Sequence, residues 1–195
     1  MTEAKEKKVD EIRKEAEALG CPVRQALYYT EEFLAGPMCG KCFPCALGSY
    51  EARVRLANLA SGRGSESDLA ALQRIAEDML ESSRCKKGKD TAQFILQWLG
   101  TEAFREHLEG RCPKKECTEL IEFRVVPEKC TMCGICLQAC KDHAIQGEKK
   151  TPYRSGYLPF EIRQRRCTKC GECVKVCPEG AIVIVDVKSP AEAKV

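Results

Sequence analysis

The feature that most restricts this chain is a duplication near its C-terminus. "CTMCGICLQACKDHAI" (130–145) and "CTKCGECVKVCPEGAI" (167–182) share one pattern, C-T-x-C-G-x-C-x-x-x-C-x-x-x-A-I. Two such copies inside about sixty residues are an internal repeat, not chance. Each copy packs three cysteines into a tight loop and sets a fourth a turn further on. On either side, "LIEFRVV" and "AIVIVDV" have the β-branched composition of strands.

The chain has 195 residues and fifteen cysteines, far above ordinary usage. Cysteines at that density suggest disulfides only in a secreted chain. The first twenty residues, "MTEAKEKKVDEIRKEAEALG", are charged and lack the apolar stretch of a signal peptide. No run of eighteen apolar residues occurs, so no membrane span is expected. The expectation is thiolates on metal in a reducing cytoplasm. Aromatics are scarce, with one tryptophan, Trp98, a thin supply for a single large core. Net charge is +3, and the basic runs "RCKKGK" and "RQRRC" read as solvated or partner-facing surface ahead of nucleic-acid binding.

Four zones follow. Residues 1–20 read as a charged helical segment with few apolar positions. Residues 21–112 read as a helical bundle. Pro22 opens a helix with Ala26, Leu27, Phe33 and Leu34, and Pro44 opens one carrying Leu47, Tyr50, Val54, Ala57 and Leu59. "SGRGS" breaks it. Ser65 and Asp68 then form a capping-box-like start to a helix striped by Leu69, Leu72, Ile75, Met79 and Leu80. "KDTAQFILQWLG" and "TEAFREHL" supply two more helices. Residues 113–187 hold the repeat and its strands, and 188–195 read as a loose tail.

C-x2-C-x2-C-x3-C, with Pro178 after the last cysteine of the second copy, is the run that binds [4Fe–4S] clusters in two-cluster ferredoxins. Its fourth cysteine serves the other cluster. By that rule Cys130, Cys133, Cys136 and Cys177 hold one cluster, and Cys167, Cys170, Cys173 and Cys140 the other. The stretch resembles the bacterial two-cluster ferredoxin module, which implies terminal strands and a short helix after each loop. One departure is Lys141, where the second copy has Pro178. Zinc is the alternative, but it prefers two CxxC pairs and four ligands.

A further triplet, Cys39, Cys42 and Cys45 in "MCGKCFPCALG", has no fourth cysteine nearby. The motif C-G-K-C-x-P-C-x-x-G, followed by a helical stretch and a distant cysteine, resembles the iron–sulfur region of the NADH-binding flavoprotein subunit of complex I. Flavoprotein subunits of NAD-linked hydrogenases and formate dehydrogenases share it. That resemblance implies Cys85, forty positions after Cys45, as fourth ligand of a third [4Fe–4S] cluster. The alternative is a lone Cys85 and a three-iron or zinc centre on the triplet. The family's flavin and NADH domain precedes this region, whereas here about 38 residues precede Cys39 and no phosphate-cradling glycine loop occurs. No FMN or NAD site is expected on this chain.

Cys21, Cys112 and Cys117 are left over. "HLEGRCPKKEC" sets His107 and two of them at H-x4-C-P-x-x-x-C, as in related hydrogenase subunits. With Cys21 they make a candidate structural zinc site at the joint of the two modules. The alternatives are unpaired thiols with a surface histidine, or a fourth cube, for which fifteen cysteines would need a non-cysteine ligand. His143 is expected to flank a cluster.

The expected fold is thus a helical bundle carrying one cluster, followed by an α+β ferredoxin-like domain carrying two. The expected function is one-electron relay through three [4Fe–4S] clusters in a multisubunit oxidoreductase of anaerobic metabolism, including electron-bifurcating types. Expected partners are a flavoprotein or NAD(P)H-oxidising subunit, a two-iron thioredoxin-like subunit, and a catalytic dehydrogenase or hydrogenase subunit or ferredoxin. No substrate site is expected. The competing reading is a zinc-binding interaction or nucleic-acid module without a redox role.

Overall fold

The computed structural model describes residues 7–151, 156 and 158–187, which form two compact units meeting in sequence at Leu120 and Ile121. The tail expected at 188–195 lies outside the described residues.

The first unit is helical: α1 (Val9–Glu17), α2 (Pro22–Ala35), α3 (Phe43–Ala60), α4 (Glu66–Ser82), α5 (Lys86–Leu99) and α6 (Glu102–Leu108), closed by a 3-10 turn at Thr118–Leu120. From α1 to α5 each helix packs on the next, and α2 also packs on α5 and α6. Prolines sit in the first turns of α2 and α3, where no intrahelical N–H bond is lost. Helix α4 starts at a capping box: Ser65 and Asp68 bond reciprocally, and Arg55 of α3 bonds the Asp68 carboxylate at 2.8 Å. On α3 the buried face is Cys45, Ser49, Ala52, Leu56 and Leu59, while Leu47 and Tyr50 are about half exposed. Small residues on that face let α4 approach, and Met79 lies where a side chain at Gly48 would stand.

The core joins Leu56, Leu59, Leu72, Ile95 and Phe104 to Cys21, Cys112, Cys117 and Leu120. Each such aliphatic or aromatic side chain contributes about 1.5–3 kcal/mol on burial. Residues 113–120, read from sequence with the second module, therefore pack with the helices. The charged N-terminal segment also belongs to this unit. Ile12 and Ala16 of α1 are buried against Tyr29 and Phe94, whose rings stack 4.3 Å apart, with Arg13 over both.

The second unit pairs β1 (Ile121–Val125) antiparallel with β4 (Ile182–Asp186), from Ile121 opposite Asp186 to Val125 opposite Ile182. A two-residue pair joins β2 (Ile145–Gln146) to β3 (Glu161–Ile162). Short helices α7 (Ile135–Ala139) and α8 (Glu172–Lys175) follow the two cysteine loops. This is a ferredoxin-like arrangement. Ile121, Phe123, Ile145, Phe160, Ile162 and Ile182 form its core, with Cys136 and Cys173. Among the described residues no helix is long and apolar enough to cross a membrane.

Candidate metal centres

In the second unit the repeat becomes a repeated backbone. Gly134 and Gly171, each just before its helix, take φ of +81° and +79°, a left-handed turn that only glycine makes without strain. Two residues earlier, Met132 and Lys169 also take positive φ, +54° and +60°. Non-glycine residues held there cost about 1–3 kcal/mol each, so the same strain is stored twice at the same motif position. The fourth cysteines match too: Ala144 N–H donates to the Cys140 sulfur and Ala181 N–H to the Cys177 sulfur, both at 3.3 Å. Lys141 in place of a proline leaves that geometry unchanged. The exposed His143 holds φ +49° where the second copy has Gly180 at +57°.

Each quartet read from the sequence comes together across the repeat. Cys130, Cys133, Cys136 and Cys177 line one cavity with Met132, Ile135 and Phe160. Cys140, Cys167, Cys170 and Cys173 line another with Phe123 and Ile162. Burial pushes the Cys173 thiol up to about 11, and neighbouring Cys167 and Cys170 add to it. Burial likewise raises Cys136 and Cys167. Thiols packed this way resist ionising alone and become good ligands once a cation draws them together.

The helical unit assembles its sites differently. Cys39, Cys42, Cys45 and Cys85 line one cavity. Cys42 is the N-cap of α3 and Cys85 the N-cap of α5, so two helix N-termini supply thiols to one place. The backbone N–H groups of Arg84 and Cys45 donate to the Cys42 sulfur and lower its pKa, whereas burial drives Cys45 up to about 11. Arg84, Lys86, Lys87 and Lys89 crowd the start of α5, the end where the macrodipole disfavours cations. A negatively charged centre would relieve that conflict. Two further features fit one. The Ser49 hydroxyl, one turn from Cys45, and the Ser83 hydroxyl are buried without partners. A Cβ on Gly88 would stand 2.8 Å from Ser83 Oγ and 3.0 Å from the Cys45 sulfur. Gly88, Ser49 and Ser83 were not read from sequence; a glycine in the first turn of an otherwise good helix was the available signal.

The last group is the tightest. The ligand atoms of Cys21, His107, Cys112 and Cys117, all buried, lie within 4.8 Å of one another. Cys21 Sγ is 3.7 Å from Cys117 Sγ and 3.5 Å from His107 Nε2, and His107 Nε2 is 3.2 Å from Cys117 Sγ. A tetrahedral ion with bonds of about 2.3 Å to sulfur and 2.0–2.1 Å to nitrogen sets its ligands at such separations. His107 Nδ1 bonds the Ala103 carbonyl at 2.6 Å, which turns Nε2 toward the sulfurs. Burial alone would lower the His107 pKa, but bonds with Cys112 and Cys21 outweigh it and hold it near 10. The Cys112 thiol falls well below its ordinary value through hydrogen bonds with Cys117 and Cys21. Glu116, also missed in the sequence, fixes the first ligand: its carboxylate accepts from Gly20 N–H and Cys21 N–H, both at 2.9 Å. Every member of this group lies in the helical unit.

Residues 25–111 match the model of the NADH-ubiquinone oxidoreductase-F iron-sulfur binding region, and residues 129–181 match that of the 4Fe-4S dicluster domain. The chain joins these two iron–sulfur modules. The F-type region covers all four cysteines of the α3/α5 cavity, and the dicluster domain covers both quartets of the repeat. The NADP-reducing hydrogenase subunit HndC of Solidesulfovibrio fructosivorans is 32% identical over 136 residues, 68% of this chain and 28% of that protein. The F-type subunit of the NADH-quinone oxidoreductase of Streptomyces coelicolor is 38% identical over 96 residues, 48% of this chain and 21% of that protein. The beta subunit of the NADP(+)-dependent formate dehydrogenase of Moorella thermoacetica is 36% identical over 84 residues, 42% of this chain and 12% of that protein. The chain thus spans under a third of the length of these relatives. Two 4Fe–4S modules make it an iron–sulfur protein of the electron-transfer class.

Proposed function

We propose that this chain relays single electrons through three [4Fe–4S] clusters inside a larger oxidoreductase. The observation that carries the reading is that three separate cysteine quartets each line their own cavity, inside regions that match 4Fe–4S modules. Cys39, Cys42, Cys45 and Cys85 hold the first cluster. Cys130, Cys133, Cys136 and Cys177 hold the second, and Cys140, Cys167, Cys170 and Cys173 the third. When bound, the clusters supply reversible one-electron exchange without proton transfer. The chain's own part is to fix four sulfurs per site, screen them with apolar residues such as Phe160 and Ile162, and offer backbone N–H groups to sulfur.

Cys21, His107, Cys112 and Cys117 hold a structural zinc ion. Their compactness supports a single ion, because a cube of four irons spreads its cysteine sulfurs more widely. In this reading substrate chemistry sits on partner subunits. The activities that name the relatives point to an NAD(P)H-linked flavoprotein on one side and a hydrogenase, dehydrogenase or ferredoxin on the other, in the cytoplasm.

The test is metal content and EPR of anaerobically prepared protein. About twelve irons with matching sulfide, plus one zinc, are expected. Eight irons would remove the α3/α5 cluster, and zinc alone would sink the relay.

A further inference from the structure

Of the two basic runs in the sequence, "RCKKGK" is the one that lies beside a cysteine cavity of the helical unit. Residues 1–120 carry 19 Lys and Arg against 20 Asp and Glu, so the helical unit as a whole is close to neutral. Yet four of those cations fall within the six residues 84–89, with no carboxylate among them. All four are exposed, as is Lys41 on the opposite loop. Lys41 and Lys87 line the mouth of the cavity itself, beside the exposed Cys39 and Cys85. Asp90, the next residue along α5, is half-buried and also acts on Tyr29 in the interior. Next to the ring, Phe43 stands 75% exposed and Leu47 46% exposed at the start of α3, on a neighbouring groove that Glu51 and Asp78 also line. The cavities of the second unit have the opposite lining: Glu179 in one, Asp142 and Glu172 in the other.

Charge clustered with one sign at the mouth of a surface cavity, with exposed apolar side chains alongside, sets which partner approaches. We propose that the ring of Lys41, Arg84, Lys86, Lys87 and Lys89 around the α3/α5 cavity is the docking face for an acidic one-electron carrier protein. The inference rests on the relay reading and names the partner's chemistry at one end of it. One electron leaves the reduced centre on one side of the interface and reduces the centre on the other. No bond is made and no proton moves. Exposed Cys39 and Cys85 put the cavity at the surface, where two centres can approach, and the ring raises the encounter rate with an acidic face. Neutralising the cavity's own centre is a second duty of the same charges, but a buried ion pair would serve that better than five side chains turned to solvent.

The test is calorimetric titration of the iron-loaded full chain with an acidic two-[4Fe–4S] ferredoxin as probe. It is run at about 0.01 M and about 1 M salt, where the Debye length falls from about 30 Å to about 3 Å. Binding is expected at low salt and its loss at high salt. The variant Lys86→Glu/Lys89→Glu, which spares the cavity-lining Lys41 and Lys87, is expected to bind at least tenfold more weakly at low salt, with iron content measured on the same sample. If charge reversal costs the first cluster, Arg84→Gln/Lys86→Gln/Lys89→Gln takes its place, with a smaller loss expected. The proposal is overturned by absence of low-salt binding, by equal affinity of wild type and variant, or by a loss seen only in Arg163→Glu/Arg165→Glu/Arg166→Glu. Twelve irons with charge-independent binding defeats the docking face alone. Eight irons defeats the first cluster and the docking face with it.

Discussion

The two units bring a distant fourth sulfur to a run of three by different means. In the ferredoxin-like unit, each quartet takes three sulfurs from one seven-residue loop and one from the other copy, so the loop's backbone does most of the positioning. Paired positive-φ residues at 132 and 169 show that the loop conformation is stored locally, in the same form, twice. In the helical unit Cys39, Cys42 and Cys45 also share one seven-residue stretch, but it runs into α3, and the fourth sulfur, on Cys85 at the N-cap of α5, is brought to it only by the packing of the helices. The two kinds of site are therefore vulnerable in different places. A loop site should tolerate loosening of its surroundings, whereas a packed site should fail with them.

The largest effect is expected at the group of Cys21, His107, Cys112 and Cys117, proposed above to hold zinc. Structural zinc sites of this type contribute on the order of 10 kcal/mol of binding free energy. Cys21→Ser or Cys117→Ser, or chelation of the native ion, should therefore lower the melting temperature of the helical unit by roughly 10 °C or more. The visible absorption of the second unit's clusters should persist. Scanning calorimetry with metal analysis reads both, and an unchanged helical transition would show that these side chains hold no structural ion.

Next comes Gly88→Ala. The added methyl meets Ser83 and Cys45 at 2.8–3.0 Å, and neither can retreat, since both are buried. Iron should drop from about twelve to about eight, with loss of a single EPR component. The matching change in the other unit, Gly171→Ala, forces a strained φ of +79° but meets no neighbour within 4 Å, so it should cost about 1 kcal/mol and keep all clusters. Equal iron loss in both would erase the distinction between packed and loop-held sites.

A smaller effect is expected at Asp68. Its bond to Arg55, then its bonds to Ser65, hold its carboxyl below the usual range. A folded pKa below the unfolded one gives stability that is complete above pH ~4 and is lost as pH falls through the folded value. Asp68→Asn should cost about 1–2 kcal/mol at neutral pH and flatten the acid limb of the stability curve. Urea titrations at pH 7 and pH 3 measure it, and a variant with the same acid limb as the parent would refute the assignment.

The smallest effect separates the two repeats. His143 sits at φ +49° where its counterpart is glycine, so His143→Gly should stabilise the second unit by about 0.5–1 kcal/mol without changing iron content. A destabilised variant would mean that the imidazole makes a contact outweighing the strain.

Much of this was legible because the signals were local. The repeat motif, the Ser65–Asp68 cap, the Pro22 and Pro44 helix starts and both long strands follow from residues a few positions apart, and the structure has each where local rules put it. The first segment was harder. Ile12 and Ala16 are too few to announce a buried face until Tyr29 and Phe94 stand opposite them. Leu47 and Tyr50 continue an apolar pattern along α3, yet the core took Ser49 and Ala52, because close approach of α4 favours small side chains. The joint was misplaced for a related reason: "RCPKKECTEL" is polar by composition, but its two cysteines and Leu120 are core residues.

The chemistry could be read from chain order alone, because ligand identity and spacing are written in the cysteine runs and need no distant information. The exchange of fourth cysteines between the two copies could be read in the same way, since a symmetric repeat leaves little choice. Folding in three dimensions was needed to show that Cys85 reaches the triplet's cavity across α4, and that Glu116 holds residue 21 in a site whose histidine, His107, lies eighty-six positions along the chain. Folding also brought Lys41 to the same cavity as Lys87 of the basic run. Those outcomes depend on which helix faces meet, and that choice is made by the summed packing of many small contacts that no short stretch of sequence contains.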